Sequence, residues 1–213
     1  MLNKGIVRVV DDDAAIRRSL ERLLDSASLI AVSYETPLAF LAAAPGLLSG
    51  CILLDLWMPE MDGLELMARL RQEGVPLPVI VMTAQGDVQS AVRAMKAGAV
   101  DFIEKPFDDE VLLNAIAASL SPAGQGTTAR DALDAAHQLA ALSPRERQVL
   151  DALLAGRPNK VIAYDLGLSV RTVEVHRARM MQRLGVRQLS EAIRLAVMAE
   201  LAPPGPSDGG RDV

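Results

Sequence analysis

The sequence predicts an α/β domain with a parallel sheet covered on both faces, followed by a separate all-helical domain. Three observations carry that reading. Over the first 120 residues, short apolar runs alternate with amphipathic stretches. The alternation stops at a small, polar segment, SPAGQGTT, at 121–128. After Ser143 only helical patterns remain. A chain of 213 residues suits two domains, and 50% hydrophobic content against 23% charged is enough to pack a core in each.

The elements follow in order. Ile6–Val10, Leu29–Val32, Cys51–Leu54, Val79–Met82 and Phe102–Ile103 are near-continuous apolar runs, the mark of strands buried on both faces. Between them, Asp13–Leu24 places Ile16, Leu20, Leu23 and Leu24 on one helical face. Thr36-Pro37 opens a second helix, with Thr as N-cap and Pro at the first helical position. Gly63–Leu70, Asp87–Ala97 and Asp108–Leu120 supply three more. Five strands alternating with five helices make a doubly wound parallel sheet. Ala129–Ala141 reads as a linker helix or a signalling stalk. Ser143–Leu154, Asn159–Leu166, Arg171–Leu184 and Leu189–Leu201 then give a four-helix domain. The expected organisation is 1–120, a linker at 121–138, helical residues 139–201 and a disordered tail at 202–213.

Charge divides the chain at the same place. Residues 1–120 hold 10 Lys and Arg against 17 Asp and Glu, whereas residues 143–195 hold 10 against 5. The net charge of -5 therefore averages an acidic module with a basic one, and two kinds of partner are implied. The single cysteine, Cys51, excludes an internal disulfide and a multi-thiolate metal site, and reads as a core thiol. The opening MLNKGIVRVV has too short an apolar stretch to read as a signal peptide, and no apolar run approaches the roughly 20 residues that span a bilayer.

In an open parallel sheet, ligands bind beyond the carboxyl ends of the strands. Strand one ends in Asp11, Asp12 and Asp13, strand three in Asp55, and strand four in Thr83-Ala84. Lys105-Pro106 follows strand five. Crowded carboxylates repel, and a divalent cation relieves that repulsion; hard oxygen donors favour Mg²⁺ (or Mn²⁺), which also binds phosphoryl oxygens. Lys105 adds a positive charge for a dianion and Thr83 a hydroxyl donor. The set suits phosphoryl transfer onto a carboxylate. Asp13 is more simply the N-cap of the first helix.

The motifs VVDDD, LLDLWMPEMDG, VMTAQGD and DFIEKPF, each at the end of its own strand, resemble the two-component receiver domain over about residues 5–120. The resemblance implies a flavodoxin-like sheet of order 2-1-3-4-5. It implies Asp55 as phosphoacceptor, with Asp11, Asp12, Asp55 and the Trp57 backbone carbonyl as the Mg²⁺ site. Thr83 and Lys105 become the phosphoryl-binding pair, Thr83 and Phe102 the switch, and Pro106 a cis-proline. A dimer face around Val92, Lys96 and Asp101 follows, with Lys96 and Asp101 pairing across it. Two positions depart from the commonest pattern: Trp57 stands where a basic residue is usual, and Gln85 where a histidine is usual. Trp57 either shields the phosphoryl group from water or packs on the neighbouring loop.

In the helical half, Ser143-Pro144-Arg145-Glu146 reads as a capping box. Asn159 opens a short helix closed near Gly167, and Ser169 caps the next. Two short helices joined by a tight turn are a helix-turn-helix. On the second, Val173, His176, Met180 and Leu184 share one face and should meet the core, so His176 is structural. Glu174, Val175 and Ala178 lie on another face and could enter the major groove, Glu174 accepting from a cytosine amino group and Val175 touching a thymine methyl. Arg171, Arg177, Arg179, Arg183 and Arg187 surround them. LSPRERQVL and PNKVIAYDLGLSVRTVEVHRARMMQRLGV resemble the LuxR-type helix-turn-helix domain of the NarL/FixJ response regulators. That implies phosphate contacts from Asn159, Lys160, Arg171, Thr172, Arg177 and Arg179, and a DNA-bound dimer contact on the last helix through Ile193 and Val197.

The expected function is a cytoplasmic bacterial transcription activator. A sensor histidine kinase phosphorylates it on Asp55, it dimerises on phosphorylation, and it binds double-stranded promoter DNA with RNA polymerase as a further partner. Its only enzymatic action would be self-directed phosphotransfer and autodephosphorylation. Two rivals compete: an aspartyl-nucleophile phosphatase, and a phosphorelay adaptor without DNA binding. The phosphatase normally has a second Asp two residues after its nucleophile, where this chain has Trp57. The Arg-rich helix argues against the adaptor.

Overall fold

The structure is a computed structural model and describes residues 5–47, 49–84, 88–121, 129–186 and 189–200. Gln85, Arg187 and the tail at 202–213, read above from the sequence, lie outside the described residues. The chain divides into two compact units, Met1–Gly126 and Thr127–Val213.

The first unit alternates strands and helices: β1 (Ile6–Val10), α1 (Ala14–Ser26), β2 (Ile30–Tyr34), α2 (Pro37–Ala43), β3 (Cys51–Asp55), α3 (Gly63–Gln72), β4 (Val79–Ala84), α4 (Val88–Lys96), β5 (Asp101–Lys105) and α5 (Asp109–Leu120). All strands pair in parallel, in the order β2-β1-β3-β4-β5. β3 is buried at every residue because it lies at the centre with helices on both faces. One face packs Val7, Val9, Leu53, Ile80, Met82 and Ile103 against Leu20 and Leu24 of α1 and Leu112 and Ile116 of α5. β2 runs two residues further than the apolar run suggested. Ser33 and Tyr34 complete the ladder beside Val9 and Val10, and Tyr34 meets the Phe40 ring edge-on at 5.0 Å. Likewise β5 spans Asp101–Lys105, so backbone pairing with β4 carries polar residues that hydrophobicity alone would leave out.

Helix starts follow their caps. Asp13, Thr36, Asp62, Asp108, Ser143 and Ser169 each accept a hydrogen bond from a backbone N–H of the first turn. Gly63 opens α3 for a different reason. A Cβ there would lie 2.6 Å from the backbone oxygen of Asp55, so only glycine lets α3 start this close to the end of β3.

The second unit holds α6 (Ala129–Ala140), α7 (Pro144–Leu154), α8 (Asn159–Leu166), α9 (Val170–Leu184) and α10 (Leu189–Glu200). Its core contains Val149, Leu150, Leu153, Ile162, Val173, Met180 and Leu184. The capping box at Ser143 and Glu146 is present, and Gly167 closes α8 at φ 65°. The segment read as a linker or stalk differs from that reading. From Ala129 it is a helix packed along α10, with Ala132, Ala135 and Leu139 buried. Ile193 and Val197, read as a face for a second copy, are 0% and 6% exposed and lie inside this unit. Among the described residues no helix is long and apolar enough to cross a membrane.

Candidate functional site

The carboxyl ends of β1, β3, β4 and β5 bring Asp11, Asp55, Thr83 and Lys105 to one edge of the sheet, beside the point where strand order reverses between β1 and β3. Lys105 Nζ donates to Asp11 Oδ2 at 2.8 Å and to Asp55 Oδ1 at 2.7 Å. The two carboxylates are almost fully buried and Lys105 is mostly so. The other carboxylate oxygens are also held: Asp11 Oδ1 accepts from the Asp13 N–H at 2.9 Å, and Asp55 Oδ2 from the Trp57 N–H at 3.2 Å. Arg17 Nη1 donates to the backbone oxygen of Asp11 at 2.7 Å, a brace that no local pattern announced. The Lys105–Pro106 bond is cis, as the resemblance implied.

Burial and charge pull against each other here. Burial raises the Asp55 carboxyl above its usual range, and the hydrogen bond and charge of Lys105 offset this only in part. Burial also pulls the Lys105 ammonium down, but its bonds to Asp11 and Asp55 win and leave it above its usual value. Thr83 is fully buried, and its Oγ1 has no hydrogen-bond partner among the described residues. A buried hydroxyl without a partner is uncommon and calls for an explanation. Thr83 pairs in register with Glu104, two residues along β5 from Phe102, so Thr83 and Phe102 lie on the same face of the sheet. Phe102 is buried there.

The remaining residues read as site members divide. Asp12 is exposed beside Asp11, whereas Asp13 caps α1. Trp57 is 60% exposed next to Asp55. Among the described residues no three acidic, His or Cys side chains form a ready cation cage; Lys105 supplies the countercharge. The donors still fit a hard divalent ion: two converging carboxylates, exposed Asp12 and a nearby backbone carbonyl. Lys96 is exposed and Asp101 half-buried. Val92 corrects the expectation. It is 6% exposed and belongs to the buried stripe of α4 with Ala91, Ala94 and Met95, so it cannot line an outer face.

In the second unit α9 splits as its periodicity indicated. Val173, Met180 and Leu184 are buried and His176 is half-buried, while Arg171, Glu174, Val175, Ala178 and Arg179 are exposed. Thr172 Oγ1 lies 2.8 Å from the Ser169 hydroxyl in the cap of α9. Lys160 is exposed at the start of α8, and Asn159 is in contact with Arg177.

The model of the response regulator receiver domain matches residues 7–117, and that of the bacterial regulatory proteins of the luxR family matches residues 140–196. The transcriptional regulatory protein FixJ of Bradyrhizobium diazoefficiens is 46% identical over 93% of this chain and 98% of its own length. FixJ of Azorhizobium caulinodans is 48% identical over 92% of this chain and 94% of its own. The crystal structure of full-length FixJ from B. japonicum matches with a TM-score of 0.54 at 46% identity, over 94% of this chain and 99% of that one. These likenesses favour neither a phosphatase nor an adaptor without DNA binding. With its receiver unit, its LuxR-family unit and this identity across both, the chain belongs to the FixJ-like two-component response regulators, which are DNA-binding regulators of transcription.

Proposed function

We propose that Asp55 is the phosphoacceptor and that its phosphorylation by a sensor histidine kinase converts this regulator into a DNA-bound dimer that activates transcription. One observation carries the reading: Asp11, Asp55 and Lys105 converge within 2.8 Å contacts beside a buried Thr83 hydroxyl that has no partner among the described residues. A carboxylate oxygen of Asp55 attacks the phosphorus of a phosphohistidine. A P–O bond forms as the P–N bond breaks, and the imidazole leaves. Lys105 neutralises the incoming charge, and Thr83 donates its hydroxyl hydrogen to a phosphoryl oxygen. Asp11, Asp12, Asp55 and the Trp57 carbonyl would hold Mg²⁺ or Mn²⁺, which when bound neutralises phosphoryl oxygens. Hydrolysis of the aspartyl phosphate by water resets the site, so the chain's chemistry is confined to itself.

Drawing Thr83 toward the dianion frees space on its face of the sheet, and Phe102 moves into it. The change is read at α4 and β5, where Lys96 and Asp101 of two copies pair. Lys160, Arg171, Thr172, Arg177 and Arg179 then serve phosphates, with Asn159 beside them, while Glu174, Val175 and Ala178 meet base edges. RNA polymerase is the downstream partner, and the setting is the bacterial cytoplasm. Sedimentation with and without a small-molecule phosphodonor tests the core of this. Wild type dimerises and Asp55→Asn does not; phosphodonor-dependent dimers of Asp55→Asn would remove Asp55 as the acceptor. Trp57 shields the acyl phosphate from water, so Trp57→Ala loses its phosphoryl group faster. Equal or slower decay sinks that role.

A further inference from the structure

Among the described helix caps, only that of α8 has no side-chain hydrogen bond: its N-cap is Pro158. Asn159, the first residue of the helix, is a side chain well suited to capping, yet its amide oxygen is committed elsewhere. It accepts from Arg177 Nη1 at 3.1 Å, across 18 residues of sequence. Arg carries five N–H donors and no acceptor, so the amide must present its oxygen and four donors of Arg177 remain. The charge of Arg177 also stays available. Arg147, Arg157 and Arg183 each pair with a carboxylate, whereas Lys160, Arg171, Arg177 and Arg179 have no ion-pair partner among the described residues. Asn159 thus restrains a long cation without neutralising it. A carboxylate at 159 would hold Arg177 equally well but cancel its charge.

We propose that Asn159 is a positioning residue for DNA binding: it fixes the Arg177 guanidinium in the orientation that meets one DNA phosphate, and makes no independent phosphate contact. This rests on the reading of α8 and α9 as the DNA-binding helix-turn-helix and revises the role of Asn159 within it. Released from Asn159, the guanidinium must be ordered by the phosphate itself, at more side-chain entropy than one exposed charge contact returns, so the contact is lost and its share of the salt slope with it.

The salt dependence of DNA binding separates the alternatives. The slope of log affinity against log salt counts the cationic groups on phosphates, at about 0.9 per phosphate on duplex DNA. A neutral amide contact contributes affinity but almost nothing to the slope. The full chain, treated with phosphodonor, is titrated with a fluorescent mixed-sequence duplex from about 50 to about 200 mM salt. Arg177→Ala should flatten the slope by about 0.9, Asn159→Ala should flatten it similarly, and the double variant should match Arg177→Ala alone. Partial unfolding lowers affinity by the same factor at every salt concentration, so it leaves the slope unchanged. Lower affinity of Asn159→Ala with the wild-type slope overturns the proposal and restores a direct amide contact. Additive losses in the double variant overturn it as well, as does an unchanged slope in Arg177→Ala. A wild-type chain that fails to bind the duplex would instead refute the DNA-binding assignment of the helical unit.

Discussion

Lys105 in the first unit and Arg179 in the second carry the same formal charge in opposite surroundings. Lys105 is mostly buried, with carboxylates at 2.7 and 2.8 Å. Arg179 is exposed and has no ion-pair partner among the described residues. A buried charge is coupled to its neighbours, so a change at one member alters all of them. An exposed charge interacts mainly with what arrives from solution. Substitutions in the first unit should therefore act on stability and chemistry together, and those on the outer face of α9 on DNA affinity alone.

The largest effect is expected at Lys105. Lys105→Met removes the positive charge between Asp11 and Asp55 and leaves two buried carboxylates facing each other. Losing one partner of such a cluster costs about 3 kcal/mol at neutral pH. The sign of the pH dependence follows from Asp55, whose carboxyl is already held above its ordinary range. Without Lys105 it rises further. A raised acid contributes stability below its unfolded value, near 3.9, and loses it as pH rises through the folded value. The deficit of Lys105→Met should thus be full at pH 7 and shrink toward pH 4. Urea unfolding followed by Trp57, the single tryptophan and a neighbour of Asp55, measures it. A deficit independent of pH would show that the charges are not coupled.

Gly63→Ala should come next. Its Cβ would lie 2.6 Å from the Asp55 backbone oxygen and 3.0 Å from the Leu56 Cα, and backbone cannot move aside as a side chain can. A cost of about 2 kcal/mol and slower phosphorylation by a small-molecule donor are expected together, since the clash bears on the acceptor's own backbone. Normal phosphorylation rates in the folded variant would separate the start of α3 from the site.

Much of this is legible in the sequence. Asp11, Asp55, Thr83 and Lys105 each follow an apolar run, and parallel strands deliver their ends to a single edge. The caps were equally plain, because a cap depends on residues within one turn. The failures were non-local or came from weak apolar signals. Val92 was placed on an outer face by resemblance, although a valine one residue from Ala91 and three from Met95 fits the buried stripe of α4. In α6 the stripe is built from Ala132 and Ala135, too small to distinguish a packed helix from a stalk. The bonds from Arg177 to Asn159 and from Arg17 to the Asp11 backbone were beyond reach for another reason: nothing in the local pattern marks the partner.

Glu146 shows that the second unit also contains a charge of the first kind. It is 2% exposed, accepts from the Ser143 N–H at 2.9 Å and lies 3.4 Å from Arg183 Nε. The Ser143 backbone bond holds its carboxyl below the usual range, against its burial. A depressed acid contributes stability above its unfolded pKa and loses it as pH falls through the folded value. Glu146→Gln keeps the shape and loses the charge. It should cost about 1 kcal/mol at pH 7 and progressively less below about pH 4. Circular dichroism should record the loss while the Trp57 transition stays in place; a shift of both would mean that the units unfold as one.

The smallest effect on stability is expected at Arg179, and there it is the informative one. Arg179→Ala removes no ion pair found among the described residues, and alanine is at least as good a helix former. Melting should change by no more than about 0.5 kcal/mol, as for a surface substitution away from any cap or core. DNA binding should weaken at low salt and converge on wild type as salt rises, the slope falling by about 0.9. The Arg147–Asp151 pair on α7 is the control. Both side chains are about half exposed, and Arg147→Ala should move stability by a few tenths of a kcal/mol and leave the salt slope alone. If both variants flatten the slope equally, the charge of the second unit acts as a diffuse field. If only Arg179→Ala does, α9 presents a defined set of phosphate contacts, and an uncompensated arginine in this unit is a marker of where the duplex lies.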